Sequence, residues 1–329
     1  MSLGSWTNNM ARLLVSFSGG ETSAFMTRKI LERWQNKYSE IAIVFANTTE
    51  ENEATLVFVD LCDRFLFAPL GHRVAWIEGE QIHGERKAPR VRVVSFETAR
   101  REGEAFEDYI RKYGIPNSKF KGCTRGLKRK PIEQYAKTVL GWPLNSYDTA
   151  IGIRADEMDR LSNDRVNRRI VYPLVQDWPT TKPNINTWFA AQPFRLQLRG
   201  YQGNCRTCWK KSFRKLMTIA DENPAAFDFM DRMEREYGHV GAEFLKDPAT
   251  RQSPLPDGYR RTFFRENKST RDIFVMLEER RAAGTFNPAT DDAMVFDPEL
   301  DAAGGCGEEK CEVWTEDSED QVGPDEEDE

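Results

Sequence analysis

The sequence predicts an α/β fold: a parallel, twisted sheet with helices on both faces, followed by a helical, cysteine-bearing C-terminal extension. Two observations predict it. Short β-branched apolar runs alternate with helical patterns through the first half of the chain, and past residue 155 the strand signal fades while helical patterns continue. Strands separated by helices of crossover length imply βαβ units, and the parallel sheets built from such units are buried on both faces.

Each element is read in chain order. LLVSFS (13–18) reads as a strand, TSAFMTRKILERW (22–34) as a helix and IAIVFAN (41–47) as a strand. EATLVFVDLCDRF (53–65) reads as a helix with Cys62 in the core, and RVAWIE (73–78) as the next strand. FEDYIRKYG (106–114) and PIEQYAKTVLGW (131–142) are helical, and DTAIGI (148–153) is a strand. Further on, residues 214–238 read as helices broken at Pro224, and 272–284 as a late helix ending in glycine. The organisation expected is an α/β domain over 10–155, a helical extension packed on it over 156–284, and an acidic, disordered tail over 285–329.

Composition narrows the class. With 39% hydrophobic and 30% charged residues, the chain has the makeup of a globular enzyme rather than a disordered polymer. Its apolar runs are strand-sized, well short of the roughly 20 residues of a membrane span. The N-terminal stretch shows no secretory pattern, so a cytoplasmic, non-membrane protein is expected. Residues 312–329 carry ten acids and no Lys or Arg, so the net charge of −6 becomes +4 once that tail is set aside. A net-basic body suits anionic ligands. The six cysteines, in a cytosolic chain of this length, point to metal-binding or redox groups before a disulfide framework.

The stretch LVSFSGGETSAFM (14–26) places two glycines between a strand and a helix. It is neither a Walker A loop, which needs a lysine after the glycines, nor a GxGxxG fingerprint. Residues without Cβ let successive N–H groups converge on a phosphate, and the helix N-terminus adds partial positive charge. Ser18, Thr22 and Ser23 add hydroxyls. A turn with ordinary helix capping is the competing reading.

SFSGGETSA resembles the pyrophosphate-binding loop (PP-loop, SGGxxS) of the adenine nucleotide α-hydrolase superfamily. FANTTEENEATLVFV (45–59) is similar to the corresponding stretch of its PAPS reductase-like branch. VSFETARREGEAFE (94–107), CTRGLKRKPIEQY (123–135), IGIRADEMDR (151–160) and GNCRTCWKKSFRKL (203–216) follow in family order. The resemblance implies that Ser16, Ser18, Gly19, Gly20, Thr22 and Ser23 cradle the phosphates of ATP or PAPS. Asn47 and Thr48 would seat the adenosine, with a polar turn as the alternative. Chemistry at such a site needs positioning and cations against developing charge. Arg125, Lys128, Arg154 and Arg160 are the candidates. Asp156 and Glu157 lie beyond a strand's carboxyl end, where α/β folds place ligands, and read either as site carboxylates or as ion-pair partners of Arg154 and Arg160. Thr22 stands where many ATP pyrophosphatases carry the Asp linked to Mg²⁺, a departure typical of the PAPS reductase-like branch.

Cys205 and Cys208 form a CxxC, and Cys123, in the matched CTRGLK motif, is the natural third ligand. Three thiolates with an open position suit a [4Fe–4S] cluster better than a closed zinc site; free thiols are the remaining option. The cations of KFKGCTRGLKRK (119–130) and CRTCWKKSFRK (205–215) form either a nucleic-acid surface with Trp209 and Phe213, or charge compensation for an anionic cluster and nucleotide. Cys306 and Cys311 match poorly the C-terminal cysteine motif of PAPS reductases. The function expected is sulfur-linked chemistry on an adenine nucleotide, with a sulfur donor or thiol reductant as co-substrate and a homo-oligomer as one assembly. The alternatives are an ATP pyrophosphatase that activates a nucleic acid or base for thiolation, and a non-catalytic nucleotide- or nucleic-acid-binding protein.

Overall fold

The computed structural model describes residues 11–84, 87–241 and 255–290. Cys306, Cys311 and the expected acidic tail from 291 onward lie outside the described residues. A six-stranded sheet in the order β4-β3-β2-β1-β5-β6 forms the centre of an α/β fold of Rossmann-like kind. Its strands are β1 (Ala11–Ser16), β2 (Tyr38–Ala46), β3 (Val74–Glu80), β4 (Arg90–Val94), β5 (Tyr147–Ala150) and β6 (Ile170–Val171). The helices are α1 (Glu21–Arg33), α2 (Glu53–Cys62), α3 (Glu104–Tyr113), α4 (Lys130–Thr138), α5 (Pro173–Gln176), α6 (Lys182–Ala190), α7 (Phe213–Glu222), α8 (Asp228–Tyr237) and α9 (Thr270–Ala282).

Alternation along the strands divides the core. Leu13, Val15, Ile43, Phe45, Val74 and Trp76 pack on one face with α1, α2 and α6. Leu14, Val44, Ala46 and Ile77 pack on the other face with Ile132, Tyr135 and Ala136 of α4. Successive residues of a strand point to opposite faces, so an apolar run without polar gaps fits a doubly covered sheet. Cys62 is fully buried in the first layer, as its helical pattern implies. A third apolar cluster joins α3, α7, α8 and α9 around Phe227, Met233 and Phe263.

The all-parallel expectation needs correcting at one edge. β4 pairs antiparallel with β3, whereas the other pairs run parallel. Exposed Arg90 and Arg92 keep this edge strand from pairing further, a common protection of sheet edges. Strand structure also continues past residue 155, since β6 pairs with β5. Leu174, Ile185 and Phe189 join the sheet's own core, so packing is continuous across the boundary drawn at 155. At the other end Ala289 is buried and its N–H donates to Thr218 Oγ1 at 2.8 Å, so the packed chain runs beyond 285. Among the described residues no helix is long and apolar enough to cross a membrane.

Candidate functional site

The chain runs from β1 out to β4, then returns to lay β5 against the opposite side of β1. Strand order therefore reverses between β1 and β5, and crevices at such switch points open at the strands' carboxyl ends. The glycine turn leaves β1 there, and Gly152–Arg154 leaves β5 beside it. The two are in contact: a Cβ on Gly152 would come 3.1 Å from Ser23 Cα.

The two glycines of the turn do different work. Gly19 has φ +80°, and a Cβ there would meet Thr55 Cγ2 at 2.8 Å and Val59 Cγ2 at 3.0 Å. It is a packing glycine that lets α2 close on the loop. Gly20 is extended (φ −98°, ψ 162°) and serves as the N-cap of α1 without a capping side chain. A Cβ there would find only Ser18 Oγ at 3.7 Å and Asn204 Nδ2 at 3.9 Å. The space above the helix N-terminus is thus bare, with a hydroxyl and an amide at its rim. Ser18 Oγ donates to Ser23 Oγ at 2.9 Å, and Ser23 Oγ to Gly20 O at 3.0 Å. Ser16, at the end of β1, is buried. Gly20 lines a cleft of about 520 Å³ together with Glu21, Lys182, Asn186, Arg195 and Asn204.

Arg154 is buried against this loop. Its Nη1 donates to Thr22 Oγ1 at 3.1 Å and its Nε to Asp156 Oδ1 at 3.0 Å, with Glu157 Oε1 3.4 Å from Nη2. Glu157 Oε1 also accepts from Arg160 Nη1 at 2.5 Å. Asp156 and Glu157 are thus ion-paired with Arg154 and Arg160. Burial pushes the Asp156 carboxyl up, but the Arg154 hydrogen bond and charge outweigh it and hold it below its ordinary value. Asn47 spends its side chain on the protein: Nδ2 donates to Glu78 Oε1 and to Arg100 O, both at 2.8 Å, and Oδ1 accepts Thr49 N at 3.0 Å. Thr48 Oγ1 donates to Glu51 Oε1 at 3.0 Å. Both side chains are hydrogen-bonded within the protein.

The CxxC segment docks directly on this crevice. Asn204 Nδ2 donates to Ser18 O at 2.9 Å, Asn52 N to Asn204 O at 2.6 Å, and Arg206 N to Glu50 O at 3.0 Å. Cys205 and Cys208 hydrogen-bond through their side chains. Cys123 stands close enough to Cys208 for their charges to oppose each other, beside Trp209, Lys210 and Lys128. The Cys208 contact and burial keep the Cys205 thiol well above its ordinary value, and burial raises that of Cys123. Among the described residues no group of three or more His, Cys, Asp or Glu side chains is gathered tightly enough to hold a single metal ion. Lys128 lies in the π-turn Arg125–Arg129 and pairs with Glu51 Oε1 at 3.1 Å; Arg125 opens the same turn, half-buried.

No protein-family model matches the chain. The uncharacterized nin region protein ORF290 of Escherichia phage lambda is 33% identical to it over 207 residues, 62% of this chain and 67% of the phage protein. The chain belongs to the ORF290 family.

In this ORF290-family chain part of the basic stretch around the cysteines turns inward, while Lys119 and Lys121 stay exposed. Lys128, Lys210, Lys211, Arg214 and Lys215 are all less than one-tenth exposed. Arg214 and Lys215 lie in the first turn of α7, at the positive end of the helix dipole, an arrangement that favours an anion nearby. The sequence left these cations as either a nucleic-acid surface or charge compensation for an anionic cluster and nucleotide; these five side chains are buried.

Sequence reasoning overlooked Glu50, Glu51 and Asn204. Glu50 is buried with both carboxylate oxygens lacking a hydrogen-bond partner, and burial pushes its carboxyl up to about 7, against the pull of Arg206. Acids just ahead of a helix are routine dipole partners, which hides them in a sequence. The signal was the pair itself, two adjacent acids in the turn between β2 and α2.

Proposed function

We propose that this protein is a PAPS reductase-like enzyme of the adenine nucleotide α-hydrolase superfamily. It binds ATP or PAPS at the 16–23 loop and performs sulfur-linked chemistry at Cys123, Cys205 and Cys208. One observation carries the reading: Asn204, beside Cys205, is hydrogen-bonded to Ser18 of the glycine loop, so the cysteine segment forms a wall of the bare phosphate crevice. Gly20 and the N-terminus of α1 receive phosphate oxygens through backbone N–H groups. Arg154, held on Thr22, supplies charge beside them, with Arg160 behind it through Glu157. Mg²⁺ accompanies the phosphates where ATP is the nucleotide.

The donor chemistry of three thiols fits a [4Fe–4S] cluster, which Cys123, Cys205 and Cys208 would hold; zinc is the second choice. When bound, such a cluster supplies an iron that can hold sulfur. The residues of this chain do the rest: Lys128 and Lys210 lie beside Cys123, and Lys211 Nζ donates to Cys205 O at 2.5 Å, fixing the loop. The inward-facing cations favour a small anionic ligand over a nucleic-acid strand as their counter-charge. An ATP pyrophosphatase acting on a nucleic acid remains the second reading, on the strength of the Arg154–Thr22 contact at the phosphate loop.

The test is anaerobic purification with an absorption spectrum and iron count, comparing wild type with Cys205→Ser, alongside calorimetric titration of ATP and PAPS. Iron with brown colour in the wild type, lost in the variant, and micromolar nucleotide binding are expected. A colourless protein that binds neither nucleotide overturns the proposal.

A further inference from the structure

The turn after β2 carries Glu50 and Glu51, exposed by only 1% and 3%. Two adjacent buried carboxylates cost the fold several kcal/mol unless matched by charge or hydrogen bonds. Thr49, just before them, adopts φ +67°, a left-handed conformation that β-branched residues rarely hold. The two side chains have different surroundings. Glu50 meets the Arg206 guanidinium, with Oε1 3.5 Å from Nη2.

Glu51 is paired across an isolated antiparallel bridge with Cys205. The hydrogen bonds that flank the bridge run from Asn52 N to Asn204 O and from Arg206 N to Glu50 O. Glu51 and Cys205 therefore form a directly opposed pair without hydrogen bonds of its own. In such a pair the backbones approach to about 4.5 Å and both side chains leave on the same face. Glu51 Oε1 is taken by Thr48 Oγ1 at 3.0 Å and Lys128 Nζ at 3.1 Å. Oε2 is sealed from solvent and has no hydrogen-bond partner. Lys128 follows Cys123 within one helical segment, so the pieces of chain bearing Cys123 and Cys205 both converge on this carboxylate.

We propose that Glu51 is the fourth donor of the Cys123–Cys205–Cys208 site, with Oε2 filling the position that three thiolates leave open. The inference rests on reading those cysteines as a metal site. A carboxylate oxygen is an accepted ligand of zinc and of iron. Among sulfur ligands it would be the hard, exchangeable member of the set. Lys128 and Thr48 on the other oxygen orient it, as partners of metal ligands do.

The experiment uses the full chain, reconstituted anaerobically with ferrous iron and sulfide and, separately, with Zn²⁺ alone. Wild type, Glu51→Gln and Glu51→Cys are compared for metal per chain after desalting, absorption spectrum and Mössbauer parameters. For Glu51→Gln we expect metal affinity to fall by at least the roughly 10–100-fold that loss of an outer-shell partner costs. For Glu51→Cys we expect retention with a new sulfur-to-metal absorption band, a readout that stands even if the Gln variant folds poorly. Unchanged metal content in the Gln variant, or an unchanged spectrum in the Cys variant, overturns the Glu51 assignment while leaving the cysteine site intact. Wild type that takes up neither iron nor zinc removes both.

Discussion

Replacing each glycine of the turn after β1 with alanine separates packing from the proposed binding. At Gly19 the new Cβ must adopt φ +80° and stand 2.8 Å from Thr55 Cγ2 and 3.1 Å from Phe45 Cε2. Left-handed backbone costs an L-residue roughly 1–2 kcal/mol, and overpacking a dense core adds about 1–3 kcal/mol. Gly19→Ala should lose about 2–5 kcal/mol of folding stability on these two counts. At Gly20 the backbone is ordinary extended chain and the nearest atoms are 3.7 and 3.9 Å away. Alanine is a poorer N-cap than glycine, while it also restricts the unfolded chain; these opposing effects leave a net change under about 1 kcal/mol. Its methyl nevertheless stands between Ser18 Oγ and Asn204 Nδ2, where phosphate oxygens are proposed to sit. Gly20→Ala should therefore fold as wild type and lose nucleotide affinity on the order of 10-fold, or about 1.4 kcal/mol. Urea unfolding followed by tryptophan fluorescence measures the first quantity, and calorimetric titration with ATP and PAPS the second. A folded Gly20→Ala that binds nucleotide like wild type refutes the assignment of the phosphates. A Gly20→Ala as unstable as Gly19→Ala refutes the steric argument.

Two further outcomes follow from the same geometry. Arg154→Lys loses the fork that spans Thr22, Asp156 and Glu157; stability should drop by about 1.5–3 kcal/mol and nucleotide affinity by on the order of 10-fold, measured by the same two assays. Glu50 and Glu234 are both pushed up by burial to about 7 from an ordinary 4.5, so the folded chain holds protons that the unfolded chain releases. Their contribution is most favourable below pH 4.5 and is lost as pH rises to about 7, with a slope of up to roughly 1.4 kcal/mol per pH unit for each group. Unfolding free energies measured from pH 5 to pH 8 should flatten in Glu50→Gln; a slope equal to wild type would show that Glu50 is charged throughout.

Legibility in the sequence followed the physics of each segment. β1 and β2 could be read because both faces are buried, and Leu13–Val15 and Ile43–Phe45 carry apolar residues without a polar gap. β4 could not: it follows Pro89, has arginine at two of five positions, and sits exposed on an edge. β6 is two residues long, below what periodicity can register. Gly19 and Gly20 announced a special turn, yet only the surroundings of each Cβ position tell the packing glycine from the bare one. The proximity of Cys205 to Glu51 was hidden because backbone pairing between distant segments leaves no local pattern. The inward direction of Lys210–Lys215 was hidden for the same reason: a charge run looks alike whether it faces water or a crevice.

The hydrogen bonds that close the crevice also set when it can exist. Asn204 reaches Ser18 across 186 residues of chain, Asn52 reaches Gly203 across 151, and Thr55 reaches Asn204 across 149. The neighbouring strand pairs β1–β2 and β2–β3 join across shorter spans, and contacts of long sequence span are the slow ones to assemble. The last strand of the sheet, β6, ends at Val171, so the segment that walls the crevice follows every described strand in the chain. In the mature protein the same few bonds form a latch. Amide hydrogens of Asn52 and Arg206 report its opening, and they should exchange at a lower free energy than those of β1 and β2, with nucleotide slowing them first.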